Sequence, residues 1–117
     1  MAPPSQLSIK TSAVLRLVKE EASYHKELEQ QQSRVEKLKS QSSNDENAEY
    51  QIKQELKAIE ETKAVFPSLK KRIAEAVDQL DKQLESEKES GESSPVEDIN
   101  KAKEAIAEAR VSIREVA

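Results

Sequence analysis

The side chains of this 117-residue chain that could do chemistry are a lone histidine, several carboxylate pairs, two serine clusters and one basic run. His25 follows Tyr24, and the chain has no cysteine with which it could share a metal ion. A solvated imidazole is therefore favoured over a ligand or a general base. Glu20 with Glu21, and Glu60 with Glu61, have the residue types of an acid–base pair. Adjacent side chains on a helix project about 100° apart, however, and nothing builds an apolar pocket that would raise one of the pKa values. The serine clusters contain neither a Gly-x-Ser-x-Gly elbow nor a glycine-rich phosphate loop, so turn and cap roles account for them. Ser90, Ser93 and Ser94 stand among glutamates, a setting compatible with phosphorylation. The expectation is a protein that is not an enzyme, with no cofactor and no metal.

The densest basic run is Lys70-Lys71-Arg72, yet the formal net charge is −4, which opposes a surface built to track phosphates. Charge is polarised along the chain. Residues 1–40 carry seven basic and five acidic groups, whereas residues 41–92 carry eight and thirteen. Such asymmetry serves either to pair neighbouring helices or to capture an oppositely charged protein partner. The absence of cysteine suits a reducing compartment. The first residues lack the charged and apolar regions of a secretory signal, and no apolar run approaches the roughly 18 residues of a membrane span. A cytoplasmic protein that binds neither nucleic acid nor membrane is expected.

These groups must be positioned by helices. One glycine, three aromatic residues and 36% charged residues argue against sandwiches and barrels. Leu, Ile, Val and Phe together number only 25, so their spacing decides whether the chain folds. In the first segment, Leu7, Val14, Glu21, Leu28 and Val35 recur at sevens, beside Leu17, Tyr24, Gln31 and Leu38, predicting a helix over about 11–39. The second segment, about 47–88, carries Ile52, Ile59, Phe66, Ile73 and Leu80 without interruption. Leu56, Val77 and Leu84 lie on its adjoining row, with Lys63 and Lys70 between them. Gly91 supplies a left-handed stop, and Ser43 to Glu46 has capping-box spacing.

Pro67 interrupts the second helix, but the row stays in phase from Phe66 to Ile73, so a kink is expected rather than a break. A third helix, about 95–116, should open with Ser94 as N-cap, Pro95 at the first position and Glu97 three residues after the cap. Its apolar row is Ile99, Ala102, Ile106, Ala109, Ile113 and Val116. Polar gaps at 41–46 and 89–94 are short enough to force antiparallel reversals. The fold class expected is all-α: a single domain, 1–117, forming an elongated antiparallel three-helix bundle like a coiled-coil rod. The end near Leu38, Tyr50 and Ile52 should hold only two helices and fray first, with a protease-sensitive tip near Ser42 and Ser43. Glu21 and Gln31 on the first helix, with Lys63 and Lys70 on the second, break the seam near Pro67. A polar layer there would fix helix register, with Glu21 approaching Lys63 or Lys70.

The first helix carries a more specific string: Ile9-Lys10-Thr11, Val14, Arg16-Leu17, Lys19-Glu20, Tyr24 and Lys26-Glu27. It resembles the tubulin-binding cofactor A family, the tubulin-specific chaperone A proteins. The similarity continues through Gln30-Gln31, Tyr50-Gln51-Ile52-Lys53-Gln54, Pro67 with Lys71-Arg72, and Leu84-Glu85, and covers nearly the whole chain. The two gaps look longer and more serine-rich than is usual for the family. The resemblance implies a three-helix rod that binds quasi-native β-tubulin released from the cytosolic chaperonin, and holds it until other folding cofactors assemble the αβ heterodimer.

Such a protein is expected to act by binding alone, without a nucleotide, as a monomer or homodimer associated with the microtubule cytoskeleton. Helical faces rather than turns would make the contact. Matched family positions coincide with exposed charge at Arg16, Lys19, Glu20, Tyr24, Lys26, Lys70, Lys71 and Arg72, which are the expected partner-binding residues, although Tyr24 also shares the seam row with Leu17 and Leu38. The alternative is a structural coiled-coil subunit or scaffold of an unrelated cytosolic assembly.

Overall fold

The computed structural model describes residues 4–41, 46–91 and 94–114. They form three helices, α1 (Gln6–Gln41), α2 (Glu46–Ser90) and α3 (Val96–Arg114), with no strand among the described residues. Ser42, Ser43 and the capping-box residues Asn44 and Asp45 lie outside the described residues, as do Ser93 and Val116.

Local chemistry explains where each helix begins and ends. α1 starts ahead of Thr11 because Ser5 caps it: its hydroxyl accepts the Ser8 N–H at 3.1 Å and its carbonyl accepts the Ile9 N–H at 3.0 Å. The cue was present in the seam, since Leu7 lies seven residues before Val14 and is fully buried. Ser5→Ala should lower stability by about 1 kcal/mol, read from the urea midpoint, while Ser5→Gly should cost only a few tenths. α2 runs through Pro67 as one helix. The missing N–H deprives the Lys63 carbonyl of its usual donor, but both residues are exposed, so water can serve instead. Gly91 ends α2 with φ +74°, the left-handed conformation expected of it.

The start of α3 departs from expectation. The first helical carbonyl acceptor is Pro95, which receives the Ile99 N–H at 3.2 Å, so Ser94 stands one place before the cap. Its hydroxyl and N–H both point back to Oε1 of Glu87 in the last turns of α2, at 2.6 and 2.9 Å. Gln83 Nε2 donates to the other Glu87 oxygen at 3.2 Å. Led by the Ser94 hydroxyl, these bonds hold the Glu87 carboxyl below its ordinary 4.5. A depressed carboxyl stabilises the fold above its unfolded pKa, and that contribution disappears as pH falls through the lower, folded value. Glu87→Gln should therefore melt below the parent at pH 7 and converge with it under acid, with the gap closing below pH 4.5.

The chain divides into two packing units, with α1 and α2 contributing to both. The unit comprising the chain up to Glu21 and from Leu69 onward contains all three helices. Its core is Leu7, Val14 and Leu17 from α1, Ile73, Val77 and Leu80 from α2, and Ala102, Ala105, Ile106 and Ala109 from α3. Leu and Ile side chains face alanines, which lets α3 approach closely. Arg110 reaches Asp81 at 3.5 Å and Lys10 reaches Gln83 at 3.0 Å, ties expected of α2 lying antiparallel to its neighbours.

The second unit, Ala22–Ser68, is an antiparallel pair made by α1 and α2. Leu28, Val35, Ile59 and Phe66 form its core, with Tyr24 packed against them. Arg34 and Glu55 join across the pair at 3.0 Å. Two helices cover a narrower stripe than three, which explains a departure from the expected rows: Leu56 is 45% exposed. Within the three-helix unit α2 must face two partners, and it supplies a further stripe through Leu69, only 1% exposed.

Candidate partner-binding surface

The expected contact residues are distributed over both units. On the three-helix unit, Arg16 and Lys19 of α1 are exposed and Glu20 is half-buried. From α2 of the same unit, Lys71 and Arg72 are exposed, whereas Lys70 is half-buried. On the two-helix unit, Lys26 is exposed and lines a shallow polar groove with Ser23, Glu27, Gln30, Gln31 and Arg34. Tyr24 is half-buried against the core of that unit, as its seam position suggested.

Glu21 and Gln31 occupy seam positions and are buried, at 1% and 7% exposure. The Glu21 carboxylate accepts the Ser112 hydroxyl at 2.8 Å, so α3 supplies a partner that the sequence rows had not named. Ser112 lies seven residues after Ala105, and that repeat was the available signal. Lys63 is exposed. His25 stacks on Phe66, with ring centroids 4.4 Å apart and planes 30° from parallel, which places the imidazole beside the core rather than in open solvent. Thr11 and Thr62 return their hydroxyls to the carbonyls of Leu7 and Ala58, the usual way a helix satisfies a buried hydroxyl.

Several apolar residues remain outside the seam. In the three-helix unit Ile9, Leu15, Val96 and Val111 are exposed. In the two-helix unit Tyr50 is 62% exposed and, with Leu38, lines a groove edged by Arg34, Lys37, Gln51, Gln54 and Glu55. Leu15 and Val111 lie off every apolar row, so their exposure could have been read from the sequence. Among the described residues no group of three or more histidine, aspartate or glutamate side chains is placed to hold a metal ion. No described helix is long and apolar enough to cross a membrane.

Helix faces that mix lysine, arginine and glutamate with isolated apolar side chains suit an all-helical protein to surface contact with a partner. Comparison with known proteins gives that class a family. The family model for tubulin binding cofactor A matches residues 2–106. Tubulin-specific chaperone A of Mus musculus is 37% identical over 91 residues, covering 76% of this chain and 81% of its own. Tubulin-specific chaperone A of Saccharomyces cerevisiae is 35% identical over 107 residues, covering 92% of both chains. A solved structure, RBL2P, described as a β-tubulin binding post-chaperonin cofactor, superposes with a TM-score of 0.77 at 32% identity, over 95% of this chain and all of that one. The chain belongs to the tubulin binding cofactor A family.

Proposed function

We propose that this protein is a tubulin-folding cofactor that binds β-tubulin leaving the cytosolic chaperonin and holds the quasi-native subunit for assembly of the αβ heterodimer. The observation that carries the reading is the similarity to the β-tubulin binding post-chaperonin cofactor, at 32% identity and over 95% of this chain. The helix surfaces support it. Arg16, Lys19, Lys71 and Arg72 offer exposed positive charge on the three-helix unit, with Leu15 and Val111 as exposed apolar anchors. Charge steers encounter and sets orientation, while apolar contacts supply affinity.

A holdase of this kind needs no nucleotide, because binding one state of the client stabilises that state by mass action. Handover would be made to other tubulin-folding cofactors in the cytoplasm, with the protein acting as a monomer. Co-elution of purified protein with isolated β-tubulin on size exclusion, in buffer without ATP, tests the proposal. A complex containing one copy of each chain is expected; separate elution at micromolar concentrations would contradict it.

A further inference from the structure

We propose that Ser94 is a phosphorylation site for a proline-directed protein kinase, and that the phosphate releases a latch joining the end of α2 to the start of α3. The latch is the pair of bonds from the Ser94 hydroxyl and N–H to one oxygen of Glu87, at 2.6 and 2.9 Å. Ser94 is half-buried, while the proline that follows it, which such a kinase must grip, is exposed, as is Val96 at 72%. Gly91, at the end of α2, is exposed too.

In the reaction the Ser94 oxygen forms a bond to the γ-phosphorus of ATP, the bond to ADP breaks, and the hydroxyl proton passes to the kinase's catalytic base. The product has lost the hydrogen that Glu87 accepted, and it carries a charge of about −1.5 to −2 at pH 7 where that hydrogen stood. Glu87 is ionised at that pH, its carboxyl being held below the ordinary range by these same bonds. Two anions cannot share the 2.6 Å contact, so the carboxylate must swing away. The positive end of the helix dipole lies at the start of α3 and favours an anion there. The phosphate therefore remains near the α3 terminus and the α2 side of the latch yields. Lys88 and Lys103 line the same 460 Å³ groove as Glu87, over a floor of Leu84 and Ile99, so the rearrangement alters this groove as well.

Incubating the full chain with a purified proline-directed kinase and ATP, followed by peptide mass spectrometry, should find phosphate on Ser94 and none there in Ser94→Ala. The phosphorylated protein should melt about 4 °C below the unmodified protein. That decrement should shrink by at least half in Glu87→Gln, whose neutral amide does not repel the phosphate. An absence of phosphate on Ser94 in the folded chain would overturn the assignment of the site. An equal decrement in the parent and Glu87→Gln would overturn the latch.

Discussion

Leu80→Ala should lower the free energy of unfolding by about 2–5 kcal/mol, while Leu56→Ala on the same helix should cost less than about 1 kcal/mol. Both residues are leucines on α2, and both lie on apolar rows in the sequence. They differ in environment. Leu80 is fully buried among residues of all three helices, and truncating it leaves a cavity that their backbones cannot collapse to fill. Leu56 is 45% exposed on the two-helix unit, so alanine there creates no cavity. With only about 5–15 kcal/mol separating folded from unfolded chains of this size, the first change consumes a large part of the stability. Urea unfolding followed by helical circular dichroism would measure both. Equal losses at the two sites would contradict the division into a three-helix core and a thinner two-helix seam.

The second large effect concerns the client. Reversing Lys71 and Arg72 to glutamate should weaken capture of β-tubulin at least tenfold, mainly by slowing association, and should reduce its dependence on salt. Both side chains are exposed, so the fold should tolerate the change. Lys70 belongs to the same basic run but is half-buried, and its reversal would combine a binding effect with a folding one. Lys82 provides the control. It is exposed and paired with Asp78 at 3.0 Å one turn away on α2, and Lys82→Glu should leave capture unchanged. If the double reversal binds β-tubulin as the parent does, with an unchanged melting curve, the contact surface lies elsewhere and the family reading stands without it.

The helices were legible because the seam is narrow. A strict recurrence at sevens leaves little choice of period, and Leu7, Val14, Leu28, Val35, Ile59, Phe66, Ile73 and Leu80 are all buried where the rows placed them. What the rows could not show was how many neighbours each helix has at each level. That number decides why Leu69 is buried and Leu56 is not, and why Glu21 meets Ser112 from the third helix. Local spacing is equally blind to partners remote in sequence at the helix ends. The string Ser94-Pro95-Val96-Glu97 has the spacing of a capping box, but the hydroxyl found a stronger, ionised acceptor in Glu87, which is remote in sequence and adjacent in space. For the contact surface, the sequence could name charged positions but not their exposure. Arg16, Lys19, Lys26, Lys71 and Arg72 are exposed, whereas Tyr24, Glu20 and Lys70 are partly covered. The exposed apolar side chains proposed to anchor a client, Leu15 and Val111, belong to no apolar row, and the rows mark only positions expected to pack inward.

The proposed function requires that these helix faces recognise one tubulin subunit. Its most direct test is a titration of the purified protein against isolated β-tubulin and isolated α-tubulin under the same conditions, without nucleotide. Saturable binding to β-tubulin, at least tenfold tighter than to α-tubulin, is the predicted result; failure to bind β-tubulin, or equal affinity for the two subunits, would contradict it.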